Sequence, residues 1–287
     1  MRIKIIIAAI IAINNFLFSQ TIAGAKQNAM ANATVALSND VFAHFNNPAG
    51  LAQMNWREIG IYYSPAPFGF TELANAFLAY NEPLGPASLS FGAKTYGFKL
   101  YRENNISAGA AYNFSNKFFV GFTLNFRSLS IKNYGRATAF YLNIGTLTYI
   151  TPKLRWGFFG FNINRASLGK EKDQIPVILT TGFSYDVLNN LDVNIVLEKD
   201  IHFNPSLKFG IDYLLIENLS LQAGFSNEPA KFSAGVGIYY SYFNFNYAFY
   251  THQVLGLTHQ IGLIINFGNI HSRKAQIRSH LGIYNNK

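Results

Sequence analysis

The sequence predicts an all-β chain: an antiparallel transmembrane β-barrel of about 14 strands with an N-terminal plug, or hatch, segment. Three observations predict it. Only 13% of the 287 residues are charged, while 49% are hydrophobic and 16% aromatic; soluble domains average about 25% charge. Mean hydropathy is nonetheless only +0.10, and beyond residue 20 no apolar run approaches the roughly 20 residues of a membrane helix. The apolar residues instead alternate with polar ones, which places one set on each face of a strand. The 27 Phe and 17 Tyr favour strands as well. This composition excludes a disordered chain and a bundle of membrane helices. With no cysteine, disulfide frameworks, thiolate metal sites and a lipidated N-terminal Cys are excluded too.

Residues 1–19 read as a secretory signal peptide. Arg2 and Lys4 precede the apolar run Ile5–Ile13, which is too short to span a membrane. Cleavage fits after Ser19, or after Ala25, where Ala23-Gly24-Ala25 has the A-x-A form. The first is preferred because Gly24 onward reads as part of the mature domain. Removing Arg2 and Lys4 lowers the formal net charge from +9 to +7.

Residues 20–55 are assigned to the hatch. The stretch from Gly24 to Met54 is rich in small residues, lacks the two-residue period and carries a helix-start signal at Ser38-Asn39-Asp40. A non-strand segment ahead of a barrel needs a place, and modest polarity suits the lumen. Within it, Asn47-Pro48-Ala49-Gly50 stands out. Pro48 fixes its own φ and pushes Asn47 out of the helical region, and Gly50 allows a sharp turn into the first strand. The motif reads either as a helix stop or as the hinge or latch of a moving hatch.

Residues 56–268 form the barrel. Phe118, Val120, Phe122, Leu124 and Phe126 alternate with Phe119, Gly121, Thr123, Asn125 and Arg127, and similar runs recur to Phe267. Strands are expected near 58–64, 73–80, 86–100, 105–113, 117–131, 137–150 and 154–164. A second set follows near 176–186, 191–199, 206–213, 218–225, 231–240, 243–251 and 258–267. The apolar phase of the third slips between Ala93 and Tyr96, as a β-bulge or an extra turn would cause. Short connections such as Ser115–Lys117 and Glu217-Asn218 alternate with longer ones such as Ser64–Glu72 and Ala166–Gln174. Outer-membrane barrels alternate periplasmic turns and outer loops in this way, which puts the N-terminus in the periplasm. A soluble sandwich would also alternate, but would carry lysines and glutamates on its polar face. Here that face is mostly Gly, Ser, Thr, Asn and Tyr, as a narrow wet lumen would have. By parity Arg127, Asp192, Glu198, Lys208 and Asp212 also fall on it, forming a lumenal polar network or a constriction that selects solutes.

Residues 269–287 are a basic periplasmic tail. Arg273, Lys274, Arg278 and Lys287 face no acid there, and the default expectation is a disordered extension. Docking to an acidic periplasmic partner or to lipid headgroups is the other reading.

No catalytic chemistry emerges. The six histidines lack metal-ligand spacing, and neither a G-x-S-x-G elbow nor a Walker-type loop occurs. No enzyme activity, metal, cofactor or nucleic-acid partner is expected.

The hatch also carries a resemblance. Gly24-Ala25-Lys26, Ala29–Ala33, Ala36–Asp40 and Asn47-Pro48-Ala49-Gly50-Leu51 resemble the N-terminal hatch of the FadL-type (long-chain fatty-acid transporter) outer-membrane superfamily, and most of all its PorV/PorQ-like branch, many of whose members are associated with type IX secretion. Asn162-Ile163-Asn164, Thr258-His259-Gln260-Ile261 and Ile175-Pro176-Val177 are weaker matches. Asn32 stands where the family usually has Gly, and the chain is shorter than typical members. The resemblance implies a protein of the bacterial outer membrane, embedded in its lipid, with one of two roles. One is to bind secretion-system proteins; the other is to carry a hydrophobic small molecule past a gating hatch toward a lateral opening. Short loops favour the first.

Overall fold

The computed structural model describes residues 23–169, 173–252, 255–268 and 272–283. The expected signal peptide, residues 1–19, lies outside the described residues. In chain order the strands are β1 (Arg57–Ser64), β2 (Asn75–Leu84), β3 (Ala87–Phe98), β4 (Tyr101–Phe114), β5 (Phe118–Ile131), β6 (Gly135–Tyr149) and β7 (Leu154–Phe161). A small hairpin of β8 (Ser167–Leu168) and β9 (Asp173–Gln174) follows. Then come β10 (Ile178–Leu188), β11 (Leu191–Asp200), β12 (Ser206–Ile216), β13 (Leu219–Asn227), β14 (Ala230–Tyr240), β15 (Phe243–His252) and β16 (Gly256–Phe267). All but the hairpin form one closed antiparallel barrel, in which β7 pairs with β10 and β1 with β16. Closure leaves no strand at a free edge of the sheet.

The alternation explains the wall. Outward positions such as Ile61, Phe91, Ile106, Phe140 and Phe183 are exposed, Ile106 at 66%. Inward ones such as Asn81, Ser90, Thr123, Ser184 and Asn194 are buried. An apolar outside around a polar inside is the surface of a membrane barrel. The tight connections 85–86, 115–117, 150–153, 189–190, 217–218 and 241–242 share one end, here the turn end, with the start of β1 and the finish of β16. The other, the loop end, carries 65–74 and 162–177, but also 99–100 and 228–229, as short as any turn.

Two local expectations change. The third strand has neither bulge nor extra turn: β3 pairs with β2 and β4 without a shift, and the phase slips because Lys94 and Tyr96 both face the lumen. The fourth strand starts at Tyr101, because Glu103 and Asn105 alternate inward and Glu103 meets Arg127 in the lumen.

The core of the molecule is the lumen, and the N-terminal segment occupies it. Residues 23–54 form α1 (Ala25–Ala29), α2 (Ala43–Asn46), a 3₁₀ turn (Pro48–Gln53) and connecting turns. All but Asn32, Phe45 and Asn46 are buried. The glycines on the inward face, which suggest a wet channel in sequence, serve close approach. A Cβ at Gly224 would lie 2.3 Å from the Met30 carbonyl carbon, and one at Gly121 would lie 2.5 Å from the Ala49 nitrogen. Three apolar clusters tie the segment to the wall: Leu51 and Met54 with Phe119 and Leu147, Val41 and Phe42 with Tyr62 and Phe77, and Val35 with Phe159 and Phe161.

The basic tail is not disordered through Arg273–Leu281, which form a helix, α3. Ser272 Oγ accepts from the Ala275 N–H at 3.4 Å, and left-handed Gly282 (φ 67°) lets Ile283 N–H donate to the Arg278 carbonyl. Ile277 and Leu281 are buried with Leu51, Met54 and Trp56 at the turn end.

Candidate functional site

The Asn47-Pro48-Ala49-Gly50 motif is the best-anchored part of the lumenal segment. Asn47 is extended (φ −168°, ψ 95°), and Pro48 opens the 3₁₀ turn, as proline geometry requires. The Asn47 amide donates to the Val35 carbonyl at 2.7 Å and to the Thr146 carbonyl of β6 at 3.0 Å. Gly50 makes no sharp turn. It lies inside the 3₁₀ turn, where a Cβ would fall 2.1 Å from the Ser38 carbonyl oxygen, so its smallness seats one strip of the segment on another. Gln53 donates to that same carbonyl and accepts from Tyr149 of β6 at 2.6 Å.

Two further residues lock the segment. His44 hydrogen-bonds Ser90 of β3 at 2.7 Å and Ser107 of β4 at 2.6 Å, and burial lowers its pKa from the ordinary 6.5 to about 3, so it is neutral. Glu58 of β1, fully buried, accepts from the Val41 N–H at 3.0 Å and the Trp56 indole at 2.6 Å, and pairs with Arg273 of α3 at 2.5 Å. Burial would lower the Arg273 pKa; the charges of Glu58 and Asp40 outweigh it and raise it.

All five lumenal charges expected from parity face inward, but they fall into separate pairs and one cluster rather than a single network. Arg127 meets Glu103 at 2.5 Å and Lys208 meets Glu198 at 2.7 Å; each pair joins neighbouring strands diagonally. Asp212 holds Lys26 of α1 at 2.7 Å. Asp192 meets Lys274 of α3 at 2.5 Å, with Arg155 3.7 Å away. Sequence reasoning missed Glu58, Glu103, Arg155 and Asp186. Glu103 would have followed from an earlier start to the fourth strand.

The wall is interrupted at one place. β5 pairs along β6 from Gly135 to Thr148, but β7 reaches β6 only over Ile144–Tyr149 and stops at Phe161. Above that level the described residues of the 162–177 connection, 162–169 and 173–177, cover the gap with one backbone bond, from the Ile163 N–H to the Leu142 carbonyl, and side-chain hydrogen bonds in place of a strand ladder. Asn164 accepts from the Leu142 N–H at 2.9 Å and donates to the Phe140 carbonyl at 3.3 Å. Asn162 donates to the Ala166 and Ile175 carbonyls and accepts from the Ala166 N–H. Leu168 and Ile175 of this cover join an apolar cluster with Val35, Phe159, Phe161 and Ile178.

Two narrow clefts flank that cluster. One, of about 40 Å³, is lined by Phe45, Phe77, Lys94, Arg127, Tyr141 and Phe161 among others. The second, of about 30 Å³, lies against Thr34, Val35, Phe45, Phe159, Phe161 and Ile178. A dry cavity that binds benzene measures about 150 Å³, so each cleft must widen before it could take an aromatic ring.

No family model matches the sequence, and no curated protein does. Solved structures match the fold. The Ralstonia pickettii toluene transporter TbuX superposes with a TM-score of 0.62 at 12% identity, covering 87% of this chain and 98% of that one. The Pseudomonas putida toluene transporter TodX gives 0.62 at 14%, covering 85% and 97%. A Pseudomonas aeruginosa FadL homologue gives 0.58 at 10%, covering 85% and 97%. The chain therefore shares the fold of these barrels, closed, antiparallel and 14-stranded.

Proposed function

We propose that the chain is a transporter of hydrophobic small molecules in the bacterial outer membrane, with the N-terminal segment as its hatch and the turn end in the periplasm. The observation that carries this is the continuity of the apolar cluster. It runs from the interrupted wall, through Leu168 and Ile175, to Phe159, Phe161 and Ile178, and ends on Val35 of the segment itself. A molecule leaving lipid or the outer vestibule would meet apolar surface as far as the hatch. The fold's likeness to barrels described as toluene transporters supports the same reading. Transport then needs two movements: the 162–177 cover or Phe45 must yield to widen a cleft, and the segment must shift to let the molecule past. The Asn47 motif serves as the latch of that shift, since its amide ties two strips of the hatch to β6.

The test is toluene uptake by proteoliposomes holding the intact barrel or one lacking residues 20–54. Removing the hatch is expected to speed toluene and to admit glucose as well. Equal flux from both would sink the gate.

The short loop-end connections keep a second reading alive, that of a PorV/PorQ-like protein binding secretion partners at its rim, where Tyr134 is 89% exposed. A stoichiometric partner in a mild-detergent purification, with no toluene flux, would replace transport by this role.

A further inference from the structure

We propose that α3 is a releasable stopper, a C-terminal helix seated in an acidic socket at the turn end that holds the lumenal segment from below and must leave before solute passes. The socket is built from three carboxylates on three strands. Glu58 of β1 takes Arg273, Asp192 of β11 takes Lys274 at 2.5 Å, and Asp186 of β10 takes Lys274 at 3.2 Å and also Arg278. All three cations are largely buried, with side-chain exposures of 11, 17 and 12%.

The helix also grips the segment it covers. Arg273 donates to the Asn39 carbonyl at 2.9 Å and lies over the Trp56 ring. Ile277 and Leu281, one helical turn apart, pack with Leu51, Ala52 and Met54. Its Ser272 and Gly282 caps do not hold the helix by themselves. It has only nine residues, too few to be stable alone in water, and Arg273 and Lys274 occupy the first turn, where the helix dipole disfavours cations. Its order comes from the socket, so losing the socket contacts releases it. A cleft of about 80 Å³ already marks the seam, lined by Lys26 and Asn39 of the segment, Asp192 and Asp212 of the wall, and Arg273 and Lys274 of the helix.

The stopper is independent of the transported molecule, because ion current reads it. The experiment compares planar-bilayer conductance of the full barrel with that of a chain ending at Gly268. A synthetic peptide of residues 272–283 is then added in millimolar amounts to both sides. The truncated barrel is expected to open about tenfold more often, and the peptide to restore the closed level. If the truncated chain fails to fold, seen as a band that does not shift on boiling, the full-length K274E/R278E variant carries the same comparison. Unchanged conductance in a folded variant, or a rise that the peptide leaves in place, overturns the proposal.

Discussion

At the loop end the lumenal ion pairs join neighbouring strands of the wall, Arg127 to Glu103 and Lys208 to Glu198. At the turn end Arg155 and Asp186 also join neighbouring strands, but the other pairs tie the wall to the two terminal segments, Glu58 and Asp192 to α3 and Asp212 to α1. The outer clefts are lined by members of these wall pairs, Glu103 and Arg127 in one and Glu198 in the other, so widening them pulls no charge away from a terminal segment. Opening the lower half exposes or separates several, each costly to leave buried and unpaired. Under the proposed transport, the same fourteen strands support an easily deformed access side and a firmly held exit side, and the barrier to passage belongs to the second.

The largest effect that tests this contrast is expected from Glu58→Gln. It leaves the Arg273 charge in a buried site without its counter-ion, and breaking such a pair costs about 3–5 kcal/mol. The urea midpoint of the refolded barrel should fall accordingly, with a rise in ion leak. A midpoint close to that of the parent protein would show that the turn end is not held by its charges.

At the loop end Asn162→Ala should do less to stability and more to toluene. The change removes three hydrogen bonds within the 162–177 cover, or about 2–3 kcal/mol of local order. Asn162 also sits at φ 52°, where alanine is strained. Toluene flux should rise while ion leak stays low. If both rise together, the two ends are not separately gated.

Much of this was legible in the residues, and the failures share a cause. Alternation fixes which face a side chain takes, so the wall, its strand count and the inward direction of Arg127, Asp192, Glu198, Lys208 and Asp212 could all be read. It does not fix depth along a strand or the identity of the partner. Asp212 pairs with Lys26 and Asp192 with Lys274, contacts between residues far apart in sequence that only closure of the barrel creates. Polar residues mislead where the lumen itself is polar: Arg102-Glu103-Asn104 resembles a loop, yet belongs to strand β4. The tail's charge does not reveal its helix, although Ser272 before it and Gly282-Ile283 after it are cap signals, and Ile277 and Leu281 lie one turn apart within it. Gly121 and Gly224 suggested water; they make room for backbone.

A smaller effect should follow acidification. His44 has a folded pKa of about 3 against an ordinary 6.5. Because the seated form resists the proton, its stability is complete above about 6.5 and declines as pH falls toward 3; at pH 5 the loss is about 2 kcal/mol. Ion leak through the barrel should therefore grow between pH 6.5 and 5, and His44→Gln should flatten that part of the profile. A profile unchanged by the substitution would assign the acid response to the carboxylates instead.

The smallest effect should come from Arg57→Gln, and its smallness is informative. Arg57 pairs with Glu82 at 2.7 Å at the same end of the barrel as Glu58, but on the outer face, with 59% of the Arg57 side chain exposed. The two arginine–glutamate pairs involve adjacent residues of one strand, pointing to opposite faces. Water and counter-ions screen the outer pair, and exposed pairs contribute little, whereas the inner one is sealed beneath α3. Neither the urea midpoint nor the leak should change when Arg57 is replaced. Were Arg57→Gln to open the barrel as Glu58→Gln does, the turn end would be held by charge at the membrane boundary in general, and the distinction between a sealed lower half and a deformable upper half would lose its basis.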